Sequence, residues 1–213
     1  MSFDDFVSDQ HACHADSIIT DLVRTLFGVF FFCHDIYFKI SYNDVEVSTM
    51  ESMSVNGHEY QVVRLLGKGK GGYSYLVTDK IRYYTLKQIH HEPCDYYQFG
   101  NKLESEVKDY EILRRIGISL PVLYEVDEKQ ERLLKEYIEG PTVMDLVQAR
   151  LMKDSYIIQM NQMCILLYKN HLNIDYYPTN FIVRDDMLVY IDYECNEYSD
   201  QWNFENWGIQ YWK

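Results

Sequence analysis

Apolar and polar positions along this chain change period several times, and each change marks an element. In the first 54 residues, Ile18, Ile19, Leu22, Val23, Leu26, Phe27 and Phe30 recur at helical spacing behind an Asp16-Ser17 cap. Residues 36–42 then alternate as a strand does. This stretch reads as an extension of helix plus strand docked on a main domain. From Val55 onward strands dominate. Asn56-Gly57 signals a turn. Residues 60–66 and 74–77 read as strands on either side of a glycine-rich turn, and 83–89 as a third. Residues 103–115 repeat as a helix. Strands at 122–126 and 132–138 flank the charged turn 127–130. Residues 155–170 predict a mostly apolar helix, and 181–183 with 187–191 a hairpin around Asp185-Asp186. The segment 202–212 predicts a short helix. No repeat or low-complexity run interrupts the pattern.

Some polar residues stand out against this period. Tyr84-Thr85-Leu86-Lys87-Gln88-Ile89 puts one lysine in an apolar strand, which is costly unless the charge is paired. An outward-facing strand lysine is the plain alternative. Glu106 shares a helix face with Leu103, Val107, Tyr110 and Leu113, while Glu104, Lys108 and Glu111 share the wet face. An acid on the apolar stripe implies a buried cation, and Lys87 is the natural one.

Gly67-Lys68-Gly69-Lys70-Gly71-Gly72 satisfies G-x-G-x-x-G between two strands. Such glycines let backbone amides approach phosphates, although a flexible hairpin loop has the same composition. A dinucleotide-binding loop requires a helix directly afterwards, and here a strand follows. No G-x-x-x-x-G-K-[ST] is present. The strand ending at Glu136-Tyr137-Ile138-Glu139-Gly140 is either a plain strand end or a hinge. Ile174-Asp175-Tyr176-Tyr177-Pro178-Thr179-Asn180 precedes Ile191-Asp192-Tyr193-Glu194. An acid, an amide five residues on and a second acid after an apolar run form a compact set of oxygen ligands. Alone, D-x-x-P-x-N also makes ordinary turns.

Composition narrows the classes. A chain of 213 residues, 47% hydrophobic, supports one domain or two small lobes and argues against disorder. Its 20 tyrosines and 10 phenylalanines add β-propensity and large buried surfaces. The net charge of -13 disfavours nucleic acid or an anionic membrane surface as main partner. Locally, Lys68, Lys70, Lys80, Arg82 and Lys87 concentrate positive charge, which suits a polyphosphate. Cys13, Cys33, Cys94, Cys164 and Cys195 are scattered and odd in number, so free thiols in a reducing, cytoplasmic setting are expected. His11, Cys13, His14, Cys33 and His34 match no common zinc spacing. No secretory signal is expected, and the longest apolar run, 26–33, falls short of the ~20 residues a membrane span needs.

The order of glycine loop, strand lysine, helix glutamate, hinge, D-x-x-P-x-N and I-D-Y-E resembles the protein-kinase-like superfamily over about residues 55–213. The resemblance implies an α+β, two-lobed kinase-like fold with a truncated C-terminal lobe. It implies an N-terminal extension at 1–54, an upper lobe at 55–139 and a lower lobe at 140–213. Gly67, Gly69 and Gly72 would cover the phosphates of ATP. Lys87 would contact the α and β phosphates and pair with Glu106. Backbone groups near Glu136 and Ile138 would hold the adenine. Asp175 would orient the acceptor hydroxyl and take its proton, and Asn180 with Asp192 would hold Mg²⁺.

Departures shape the expectation. Asn173-Ile174 stand where Ser/Thr protein kinases carry His-Arg, Tyr177 stands where they carry lysine, and Glu194 where D-F-G has glycine. The 19 residues after Glu194 predict no long activation segment. Minimal atypical kinases, such as the RIO group and the small kinase of the tRNA-modification complex, also do without one. Ile191-Asp192-Tyr193-Glu194 with Phe204-Glu205-Asn206-Trp207-Gly208 resembles the tail of choline kinases and aminoglycoside phosphotransferases, and there Glu205 would brace the catalytic loop. Trp202, Phe204, Trp207, Tyr211 and Trp212 also read as a core-sealing aromatic group. The acceptor is therefore a protein Ser/Thr hydroxyl or a small alcohol, sugar or aminoglycoside. A nucleotide-binding pseudokinase and an interaction protein using residues 1–54 are the competing classes.

Overall fold

A computed structural model describes residues 51–92 and 101–213, all within one compact unit. The helix and strand expected before residue 50, the His and Cys residues there, and Cys94 lie outside the described residues.

The upper half is one antiparallel sheet of six strands. Strand β1, Ser52–Val55, turns into β2, His58–Lys68, through Asn56 and Gly57 with φ of 49° and 84°. Both central residues lie at positive φ, the demand of a tight hairpin turn, and Asn-Gly meets it at little strain. Register shifts between Val62 and Arg64 and between Leu65 and Gly67 bend β2 over β3, Gly72–Thr78. Strand β4, Tyr83–Ile89, pairs with β3 and with β6, Arg132–Glu136, and β6 pairs with β5, Leu123–Asp127. One face buries Val55, Tyr60, Val77, Tyr84, Leu86 and Leu134. The other brings Ile89 and Leu133 against Leu103 of helix α1, Lys102–Ile116. Asn101 caps α1 by accepting from the Glu104 N–H, and Gly117 at φ 91° closes it.

The lower half holds α2, Val143–Gln148, and α3, Asp154–Lys169. Around them lie two small antiparallel ribbons. Strand β7, Leu172–Ile174, pairs with β10, Cys195–Glu197; β8, Phe181–Arg184, pairs with β9, Met187–Tyr190. Asp185 and Asp186, both at positive φ, make the β8–β9 turn. Met160, Leu167, Tyr176, Phe181, Tyr190, Phe204 and Trp212 are buried together, and Leu113 of α1 joins them.

This is an α+β, two-lobed kinase-like fold with a truncated lower lobe. The chain end differs from the helix expected at 202–212. It forms two 3₁₀ turns, Asp200–Trp202 and Gly208–Tyr211. Phe204 and Trp212 must both reach the core, and Gly208 packs directly on Phe204 and Tyr176, where a Cβ would lie 2.7 Å from each. Direct packing of that kind breaks a regular helix into turns.

Candidate active site

Strand β4 presents Lys87 toward α1, and the apolar stripe of α1 presents Glu106. The two meet at 2.6 Å, with side chains 12% and 3% exposed. The charge-assisted contact from Lys87 is what compensates the burial of the Glu106 carboxylate. The aliphatic stem of Lys102 lies where a Cβ on Gly71 would go, and its amine reaches to 3.8 Å from Glu106 and 4.0 Å from Glu194.

Asp192 completes the group. It follows β9 and stands 3.5 Å from Lys87. Its Oδ1 accepts the Tyr193 N–H at 2.9 Å. Burial works to lower the pKa of Lys87, but Asp192 and Glu106 outweigh it, and the net shift is upward. Burial likewise opposes the charge on Asp192, while Lys87, Lys135 and Lys102 bring its pKa below the usual carboxylate value. Both groups are therefore ionised at neutral pH.

The glycine turn lies over this group. The Gly69 N–H donates to the Gly72 carbonyl at 2.9 Å, which folds the turn back on itself. A Cβ on Gly72 would meet the Gln88 carbonyl at 2.7 Å and Lys87 Cε at 3.2 Å, so the backbone approaches Lys87 as only glycine allows. At Gly67 a Cβ would meet nothing within 4 Å. Behind the group, β6 ends at Glu136, two residues earlier than the apolar pattern suggested. The Glu136 N–H donates to the Val122 carbonyl, and its side chain accepts from Val122 and from Arg184. Ile138 is buried just beyond the sheet.

Asp175 follows β7. Its Oδ1 accepts the Tyr177 N–H at 3.0 Å, a local turn that Pro178 continues. Asn180 Nδ2 donates to the Asp175 carbonyl at 3.3 Å, and the Asn180 carbonyl accepts the Ile191 N–H at 2.9 Å. Asn180 thus joins the Asp175 turn to the residue before Asp192. The brace on this turn is Trp212, whose Nε1 donates to the Tyr176 carbonyl at 2.8 Å. Glu205 is exposed and accepts from Tyr168 of α3.

Two cations here were not singled out in the sequence, Lys102 and Lys135. Lys102 opens α1, and the turn it lies beneath is known only from the fold. Lys135 is buried in β6. Among the described residues, no three His, Cys, Asp or Glu side chains converge as a metal site. Magnesium on a polyphosphate asks for less: one or two protein oxygen ligands, with water and phosphate for the rest. The carboxylate of Asp192 and the amide of Asn180 are of that kind, and the close backbone at Gly72 beside Lys87 suits a phosphate. The residues present fit the group. Cys164 and Cys195 are free thiols, and no described helix is long and apolar enough to cross a membrane.

The chain is similar to the KEOPS complex subunit Bud32 of Pyrococcus abyssi (strain GE5 / Orsay), with 27% identity over 103 residues. The match covers 46% of this chain and 47% of that protein, so the chain spans about half the length of the curated relative it matches. The similarity supports a kinase-like superfamily relationship. No family model matches the chain.

Proposed function

We propose that this protein is an ATP- and Mg²⁺-dependent phosphotransferase that moves the γ-phosphate to a hydroxyl acceptor, most favourably a protein serine or threonine. The observation that carries this reading is the ion-paired set of Lys87, buried Glu106 and Asp192 beside the Gly67–Gly72 turn. A fold kept only for packing would be better served by apolar residues there.

In this reading Lys87, held cationic by its two acids, binds the α and β phosphates. The turn carrying Gly67, Gly69 and Gly72 covers the phosphates, its backbone brought close to Lys87 at Gly72. The adenine edge meets the backbone beyond β6, near Glu136 and Ile138, where the ladder has ended. Asn180 and Asp192 hold Mg²⁺, which when bound neutralises charge developing on the phosphates. Asp175 orients the acceptor hydroxyl and accepts its proton. Its carboxylate is steadied by the Tyr177 amide and its backbone by Asn180.

The net charge of -13 favours an acceptor with basic character, which a protein segment or a cationic amino-alcohol both provide. The test is transfer of labelled γ-phosphate across a panel of basic proteins, amino-alcohols, sugars and aminoglycosides, beside a thermal shift with Mg-ATP. Label in a protein acceptor, dependent on Mg²⁺, is the expected result. Label in an amino-alcohol alone moves the acceptor to the small-molecule class. A nucleotide shift with no transfer makes the protein a nucleotide-binding pseudokinase. Absence of both the shift and the transfer overturns the reading.

A further inference from the structure

Lys135 is the penultimate residue of β6 and is 4% exposed. In the strand period it shares a face with Leu133, which packs toward α1. Its Nζ donates to the Ile191 carbonyl at 3.0 Å and stands 4.3 Å from the centre of the Tyr193 ring. Those are the two residues flanking Asp192. Tyr193 is held again from the upper half: its hydroxyl donates to the Pro121 carbonyl at 2.7 Å, and its ring lies 4.6 Å from that of Tyr110.

Packing alone does not account for a lysine here. Burial, with Lys87 adding to it, pushes its pKa down to about 8, and Glu106 and Asp192 only partly oppose this. A methionine would fill a similar volume without burying a charge. What the lysine adds is a donor aimed at the backbone on one side of Asp192 and a cation against the ring on the other. We infer that Lys135 is a positioning residue: it grips Ile191 and Tyr193 so that the Asp192 carboxylate is held toward Lys87 and toward the metal. The inference rests on the phosphotransferase reading above.

The experiment compares wild type, Lys135→Met and Lys135→Arg by calorimetry, measuring affinity for Mg-ATP and for ATP in EDTA, with melting temperatures alongside. Lys135→Met is expected to melt at the wild-type temperature or higher, and to lose about tenfold of the affinity gain that Mg²⁺ confers, as loss of a residue that orients a metal ligand does. Lys135→Arg keeps the donor and the charge and is expected to retain that gain. A plain structural lysine gives the opposite pattern, a lower melting temperature with the Mg²⁺ gain intact. That outcome overturns the inference. Should Lys135→Met fail to fold, Lys135→Leu carries the same expectation. Absence of Mg-ATP binding by the wild type overturns the phosphotransferase reading, and this inference with it. Wild-type binding with an unchanged Mg²⁺ gain in the variants overturns this inference alone.

Discussion

Lys87 is stable inside its strand because two carboxylates face it, and each side of that balance can be removed. Glu106→Gln leaves Lys87 with Asp192 alone, at 3.5 Å instead of the 2.6 Å it has to Glu106. Breaking a buried pair leaves a charge poorly compensated, so the variant is expected to lose about 2–3 kcal/mol in urea denaturation. Lys135 gives a second prediction, in pH. Its folded pKa of about 8 lies below its ordinary 10.5, so between those values the unfolded chain binds more protons than the folded one. Stability contributed by this group therefore rises with pH across that window. The groups that set its charge are Lys87, Glu106 and Asp192. Wild type minus Lys135→Met, measured by denaturation from pH 7 to pH 10, should show the rise; a flat difference would refute it. Lys87 and Glu106 were legible in the sequence because each breaks a clear apolar period. Lys135 was not, since Leu133, Leu134 and Lys135 are all buried and no alternation marks the lysine. Its partner, Ile191, lies 56 residues away and comes near only through the fold.

The strands around the glycine turn were readable as elements, because alternation and Asn-Gly or glycine-rich turns bound them. Which glycine matters was not readable. Gly72→Ala places a Cβ against the Gln88 backbone and the Lys87 stem, and is expected to cost about 1–3 kcal/mol and to weaken Mg-ATP binding. Gly67→Ala has open space and is expected to stay within about 0.5 kcal/mol of wild type. Equal effects from the two would contradict the close-approach argument. Helix α2 escaped the apolar period because it is only six residues long; its sign was the capping box of Thr142 and Asp145. The aromatic spacing of the chain end suggests a helix. Tertiary packing of Phe204, Gly208 and Trp212 overrode that spacing and left two 3₁₀ turns.

Across the whole described unit, the two halves are tied by few but specific contacts. The Tyr190 N–H donates to the Ser119 carbonyl, Tyr193 to Pro121, the Cys195 N–H to Asp109, and Lys135 to Ile191. Arg184 of the β8–β9 hairpin pairs with Glu136 at 2.6 Å, but both side chains reach solvent. Arg184→Ala is therefore expected to change stability by less than about 1 kcal/mol. The buried contacts converge on the segment after β9, so Asp192 takes its place from both halves at once. The two-lobed plan was legible from the order of motifs. Short strands β7 and β10, which flank Asp175 and follow Glu194, carry only three residues each and left no period to read. The central claim is phosphate transfer that depends on Asp175. Its most direct measurement is Mg²⁺-dependent transfer of labelled γ-phosphate by wild type and by Asp175→Ala at equal, folded concentration. The account predicts transfer by the wild type and a loss of about 100-fold or more in the variant; equal transfer by both would contradict it.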